Sequence, residues 1–429
     1  MSSPAERGSS QEPSGYLRLV VVMAAVYSLL FVMAQMHRMG GAVIAPYLSE
    51  ELRLSASDLG LVIGAMFFAS AAAQPLSGVL LDRFGSVRAV TLLMPVAVGG
   101  MLLFAWTDSV ASLTVGRILI GAGFSCVVSG LYVFLLGWVR RENFTVAATL
   151  ILAVPGTAAV LLSSTPLAVS LDEFGRGPVF TGLAVATVLV VTLVAFTVRE
   201  GPRSNRHTRE PETLRQSFAG TLTILRQRRF LWIAAYGLTS LGPAYSVIGL
   251  LSGVYLRERF ALDTAALGNA VFALLIALNL GGAIYGPIDR LLGRRKLVIV
   301  SGVSIQVTLM CVLAAVGGLN FWMTLGLLVA FAAVSQIQPL VLAHAQSLFG
   351  PEFSGRVITT TNIFMVGGIF VFQGAAGLAY DVFTQTFGAD PIEGYRLTFL
   401  ALGLCQIIGV LFYLQAPAPM VETARGSGR

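Results

Sequence analysis

Gln35, His37 and Arg38 stand close together in the first long apolar run of the chain, and their types suit them to hold a charged solute. A guanidinium stays charged at any accessible pH, and inside an apolar run it needs an anion or a set of carbonyls. Arg38 lies 20 residues beyond Arg18, about 30 Å along a helix, so it sits within the run rather than at its near edge. Gln35, one turn earlier, shares its face and supplies a neutral hydrogen-bonding group. The chemistry this pair implies is electrostatic capture of a small anion. The alternative is that Arg38 snorkels to water near Glu50 and Glu51. His37 points to another face and has no metal-ligand partner at helical spacing, which leaves it as a core or lining residue, or as a proton carrier. Arg117 is the second embedded cation, and it either pairs with backbone carbonyls or takes part in coupling. No Asp or Glu lies well inside any apolar run, which disfavours a cationic solute and leaves the energy source unassigned.

Neutral polar residues in other runs complete the candidate set. Ser125, Ser129 and Tyr132 share one helical face, and Tyr245, Asn279, Gln336 and Asn362 stand in later runs. Each either lines a solute path or bonds one helix to another. His344 lies towards one end of its run, as a gate or a packing residue.

Enzymatic and ATP-driven chemistry finds no support. The single lysine, Lys296, lies between Arg295 and Leu297, so no phosphate-binding Gly-Lys-Ser/Thr loop exists. There is no G-x-S-x-G, and Gly121-Ala-Gly123-Phe-Ser-Cys126 lacks the third glycine of a dinucleotide loop. No His/Cys/carboxylate cluster suggests zinc, and Cys126, Cys311 and Cys405 all fall inside apolar runs as small core residues. No cofactor and no metal is expected, and the chain is not read as an enzyme.

The elements that position these residues follow from composition. Of 429 residues, 56% are hydrophobic and 11% charged, with a mean hydropathy of +0.81. Soluble domains carry roughly 25% charged residues. Charge here separates twelve apolar runs, at about 18–48, 58–80, 88–107, 110–138, 144–171, 178–198, 230–256, 264–288, 297–318, 321–348, 357–383 and 397–414. Each is long enough to cross a bilayer as a helix. They are continuous, unlike the short alternating segments of a β-barrel. No cleavable signal is apparent. An even number of spans puts both termini on one side. With a cytoplasmic N-terminus, 21 Lys and Arg face the cytoplasm and five (Arg53, Arg176, Arg257, Arg259, Arg396) face the other side, a strong positive-inside bias. The sequon Asn143-Phe-Thr145 then falls on the cytoplasmic side. The net charge of +7 is therefore topological, and no nucleic-acid partner is expected. The expected organisation is a cytoplasmic tail (1–17), a six-helix bundle (18–200), a cytoplasmic linker (201–228) with a surface helix over Glu212–Arg228, a second six-helix bundle (229–415) and a second tail (416–429).

The two halves repeat at an offset of 208 residues. Tyr47-Leu48 meets Tyr255-Leu256, Glu50 meets Glu258, Leu59-Gly60 meets Leu267-Gly268, Gly78 meets Gly286, Gly85 meets Gly293, and Arg88 meets Lys296. A duplicated bundle of this kind encloses a site near the membrane midplane.

Between the second and third spans stands Gly78-Val-Leu-Leu-Asp82-Arg83-Phe-Gly85-Ser-Val-Arg88, and at the matching place in the second half Gly286-Pro-Ile-Asp289-Arg290-Leu-Leu-Gly293-Arg294. The glycines permit a tight turn, the aspartates can cap or pair with a neighbouring helix end, and the arginines anchor the loop at the lipid surface. This pair resembles the loop signature G-x-x-x-D-R-x-G-R-R/K of the major facilitator superfamily. The first copy departs from it at Ser86-Val87, and the second has one residue fewer before its Asp and one more after it. Arg117-Ile-Leu-Ile-Gly121-Ala-Gly123 resembles that family's R-x-x-x-G-x-G helix. The likeness spans residues 18–414. It implies an all-α integral membrane protein of twelve transmembrane helices in two pseudo-symmetric six-helix bundles, with both termini cytoplasmic and the first, fourth, seventh and tenth helices around a central cavity.

The family's antiporter run G-P-x-x-G-G is absent from the fifth span, where Ala153-Val-Pro155-Gly156-Thr157 stands instead. The spacing from Arg38 to Pro46-Tyr47-Leu48 resembles the first helix of organophosphate/phosphate antiporters of the superfamily, in which an arginine binds the substrate anion. Their second arginine, in the seventh span, has no counterpart in Gly242-Pro243-Ala244-Tyr245-Ser246, so one arginine suits a singly charged carboxylate or another small anion better than a phosphate ester. The resulting expectation is a monomeric, multi-pass inner-membrane secondary transporter for a small anion, working by rocker-switch alternating access. A multidrug or metabolite exporter of the same fold is one rival, and a transporter-like solute sensor a remote one. The expected partners are a small-molecule substrate and the lipid bilayer.

Overall fold

The computed structural model describes residues 14–202, 214–350 and 353–417. The tail expected over 1–17 lies outside the described residues up to position 13, the linker over 201–228 between 203 and 213, and the tail over 416–429 from 418 onward. The described residues are helical and contain no strand.

Twelve spans are found among the described residues. The first comprises helices Ser14–Met39 and Gly41–Leu52, and the second is Ala56–Ala72 with Gln74–Phe84. Next come Ser86–Trp106, Val110–Trp138, Ala147–Phe174 and Arg176–Thr197. The second half runs Arg228–Phe260, Thr264–Leu292, Arg295–Ala315, Phe321–Ser347, Gly355–Thr386 and Pro391–Leu414. Large apolar side chains such as Leu189, Phe196, Trp322 and Leu404 point outward, as a lipid-facing surface requires. In the linker, a helix over Leu214–Leu225 forms where a surface helix is expected, with Ile224 buried beneath it.

Short polar residues start the spans. Ser55 forms a capping box with Asp58, and Asp263, Asn320 and Asp390 each accept a backbone N–H at the start of a helix. The second span bends by 45° at Ala73, where Gln74-Pro75 begins a new helix.

The 208-residue repeat holds in three dimensions. Arg53 and Ala261, 208 apart, both end a helix with positive φ (53° and 48°). Ser55 and Asp263 both cap the helix that follows. Gly85 and Gly293 both turn the chain with positive φ, at 80° and 60°. In the second loop Asp289 pairs with Arg295 at 3.0 Å, tying the turn to the helix after it. In the first loop, Glu200 at the end of the sixth span accepts from the Val87 N–H at 3.0 Å and caps the third. Arg88, Arg290 and Arg294 are exposed, Arg83 lies 5.5 Å from the Phe84 ring, and Gly78 and Gly286 face open space.

The spans that carry most candidate residues contain irregular turns. The first is interrupted at Gly40, the fourth by a turn at Phe124–Cys126, the seventh by a π-helical turn Val247–Leu251, and the tenth between Val334 and Ile337. Cys126 and Val334 are again 208 apart. The face drawn through Ser125, Ser129 and Tyr132 therefore starts inside a break. Ser125 bonds there to Ser77 at 2.7 Å and to the Ala122 carbonyl. Breaks of this kind at membrane depth occur where the backbone is buried in protein or lines a cavity.

Candidate functional site

The two halves meet in a seam at the end of the bundle remote from Ser14 and Pro417, here termed the distal end. Glycines set its closeness. A Cβ on Gly41 would lie 2.5 Å from the Gly249 carbonyl oxygen, and Gly41 and Gly249 are themselves repeat mates. A Cβ on Gly253 would lie 1.8 Å from the Ala42 carbonyl oxygen. Gly60 presses on Gln373, and its mate Gly268 on Thr165. Ionic contact closes the same end, with Glu50 pairing with Arg257 across the seam at 2.5 Å.

Below this seam, Arg38 stands half-buried at the end of the first helical segment. It faces Tyr245 of the seventh span, and the Tyr245 phenol lies beside the side chain of Gln336 in the break of the tenth. Phe67 packs edge-on to Tyr245 at 6.1 Å, and Gln373 donates to the Tyr245 carbonyl at 3.3 Å. Arg38, Tyr245 and Gln336, drawn from three spans and both halves, thus come together. Gln35 sits half-buried one turn earlier. Among the described residues Arg38 has no carboxylate within ion-pair distance. Glu50 and Glu51, towards which snorkelling would carry Arg38, are paired instead with Arg257 and Arg176. Such a cation can attract an anion without first breaking an internal ion pair.

The other candidates lie elsewhere. His37, though next to Arg38, is buried between Phe124 and Phe180, with ring centroids 5.6 and 5.9 Å away. Its carbonyl accepts from Arg117 at 3.5 Å, and that buried guanidinium lies 4.6 Å from the Phe104 ring. Both belong to the interior of the first half. Ser129 is exposed and Tyr132 packs near Phe144 at 6.3 Å. Asn279 bonds to Thr157 at 3.3 Å and so links the eighth span to the fifth across the halves. Asn362 accepts from Gln338 at 2.7 Å within the second half. His344 is fully buried, with one ring nitrogen 2.6 Å from the Tyr413 hydroxyl and the other 3.0 Å from the Pro417 carbonyl, within the second half.

Sequence reasoning missed Gln338, Gln373 and Thr157. Nothing local marks Gln373, whereas Gln338-Pro339 does have the form of a helix start inside an apolar run. It also counted Arg176 as a loop charge. Arg176 is 4% exposed and joins Glu51 at 3.0 Å, Asp108 at 2.7 Å and the carbonyls of Phe104 and Thr107.

Two pseudo-symmetric helical bundles, irregular helices around the interface and a half-buried cation between the halves define a solute transporter rather than an enzyme. The sequence model of the Major Facilitator Superfamily matches residues 26–373, and the chain belongs to that family. It is a multi-pass membrane protein that moves a small solute. The nucleoside transporter NupG shares the fold with a TM-score of 0.73 at 12% identity, over 92% of this chain and 98% of that one. A bacterial homologue of the human lysosomal transporter Spinster, inward-facing and unoccupied, gives 0.73 at 14% identity, over 95% and 98%. The xylose transporter XylE from E. coli gives 0.66 at 12% identity, over 94% and 99%. In sequence, a probable sulfoacetate transporter of Cupriavidus necator, SauU, is 32% identical over 102 residues, and that match spans 24% of each chain.

Proposed function

We propose that this protein is a secondary active transporter for a small organic anion, working by rocker-switch alternating access. It sits in the inner (plasma) membrane, and the basic loops support an orientation with both termini cytoplasmic. Arg38 anchors the anionic group, Tyr245 and Gln336 bond to the solute from the opposite half, and Gln35 assists from the same helix face. The observation that carries this reading is Arg38 itself, a cation free of ion pairs among the described residues and placed where the two halves meet. A solute bridging Arg38 and Tyr245 touches both halves, which is what couples its binding to their relative motion. The partial similarity to a probable sulfoacetate transporter supports an anion and directs attention to carboxylates and sulfonates.

The test is a melting-temperature screen of the purified protein against carboxylates, sulfonates, phosphate esters, inorganic anions, sugars, amino acids and lipophilic cations, with Arg38→Ala beside wild type. An anion present at 100 times its Kd stabilises the folded state by about 2.7 kcal/mol. Stabilisation of wild type but not of Arg38→Ala by an anion, followed by uptake of that anion into proteoliposomes, is the expected result. Equal stabilisation of both proteins by neutral or cationic compounds refutes the anion reading.

A further inference from the structure

The distal seam contains a second kind of contact, in which a helix start in one half is held by a carboxylate from the other. Asp381, at the end of the eleventh span, accepts from the N–H groups of Ala56 at 3.2 Å and Ser57 at 2.8 Å. These open the second span, whose first turn carries unpaired donors and the positive end of the helix dipole. The arrangement recurs. Asp172, at the end of the fifth span, accepts from the hydroxyl of Thr264, the first residue of the eighth span, at 3.1 Å. Ala56 and Thr264 are separated by the same 208 residues as the rest of the repeat.

Neither helix needs this partner for its own capping. The second span has Ser55, whose hydroxyl accepts from the Asp58 N–H at 3.1 Å, and the eighth has Asp263, which accepts from the Ala266 N–H at 2.7 Å. Both caps come from the same half as the helix they serve. The additional carboxylate reaches over from the opposite half, at places where the backbones already touch. A Cβ on Gly377 would lie 2.0 Å from the Ala56 carbonyl oxygen, and one on Gly268 would lie 2.6 Å from Thr165. The bonds of Asp381 and Asp172 to Ala56, Ser57 and Thr264 therefore exist only while the distal ends of the halves are together.

We infer that Asp381 and Asp172 are a reciprocal pair of clasps that hold the distal mouth shut and are released when it opens. The inference rests on the alternating-access part of the proposed function and not on the identity of the solute. Asp381 is the stronger clasp, with two backbone donors, and Asp172 the weaker, with one hydroxyl. Releasing a carboxylate from a helix start changes a two-state equilibrium about fivefold.

The test uses Leu59→Cys, a buried position lining a cavity at the seam together with Ala56, Val254 and Asp381, in protein whose Cys126, Cys311 and Cys405 are replaced by serine. Its maleimide-labelling rate in detergent follows the population with an open distal mouth. Asp381→Ala is expected to raise the rate about fivefold, and Asp381→Asn, which keeps a capping oxygen, by less. Asp172→Ala should give a smaller rise, and the two alanine changes together should multiply. Asp390→Ala is the control, because Asp390 caps the twelfth span at the same end but within its own half, accepting from Glu393 N–H at 3.0 Å. An unchanged rate in Asp381→Ala, or an equal rise in Asp390→Ala, overturns the inference. Should Asp381→Ala fail to fold, an unchanged rate in Asp381→Asn together with Asp172→Ala overturns it equally. Failure of every anion to stabilise the protein would leave these rates as they are, so the two readings fail separately.

Discussion

Gly253→Ala is the sharpest perturbation of the seam. The added methyl carbon would sit 1.8 Å from the carbonyl oxygen of Ala42 and 2.9 Å from its carbon, where ordinary contact begins at 3.4 Å. Both atoms are backbone, so no side chain can swing aside. The strain is relieved only if the first and seventh spans separate. Overpacking of this kind costs about 1–3 kcal/mol, which corresponds to a roughly 5–150-fold shift toward a state with the distal mouth open. The assay is the labelling rate of Leu59→Cys in the background lacking the three native cysteines. Gly121→Ala supplies the comparison, since its Cβ would meet the Met66 carbonyl oxygen at 2.2 Å inside the first half. That variant should lower the melting temperature without faster labelling. If Gly253→Ala labels no faster than its parent, or Gly121→Ala labels as fast as Gly253→Ala, the contact at Gly253 is not a gate contact and the reasoning fails.

Three further outcomes follow from particular side chains. Arg176→Met leaves the carbonyls of Phe104 and Thr107 without their donor while Glu51 and Asp108 can turn to solvent, and should cost about 1–3 kcal/mol, read as a fall in melting temperature. Arg117→Met removes a buried guanidinium whose Nε and one terminal nitrogen lack partners, so its melting temperature should hold or rise, and a fall like that of Arg176→Met would show that its contacts with the His37 carbonyl and the Phe104 ring outweigh the cost of burying it. His344→Phe breaks bonds to Tyr413 and Pro417 in a fully buried place, and should destabilise by about 1–3 kcal/mol in thermal unfolding while leaving the substrate KM in proteoliposomes unchanged.

The class of protein is legible in the sequence alone. Apolar runs long enough to cross a bilayer must be helices, because lipid offers no other partner to their backbone. The one-sided arginines, the glycines at Gly85 and Gly293 and the 208-residue repeat are written in residue types and spacings, so linear reading finds them. An arginine inside a run announces itself in the same way, as Arg38 does. Tertiary structure decided what those residues touch. Arg38 and His37 are adjacent in the chain, yet a helix turns successive side chains about 100° apart, so one faces Tyr245 and the other enters an aromatic pocket of the first half. Arg176 and Arg257 read alike as loop charges, but one is buried within its own half and the other bridges the two. Asp381 and Ala56 are separated by 325 positions, and no local pattern joins them. Pairings across that distance depend on how two whole bundles lean together, and the close approach of backbones at Gly41, Gly60, Gly253 and Gly377 is what sets that lean.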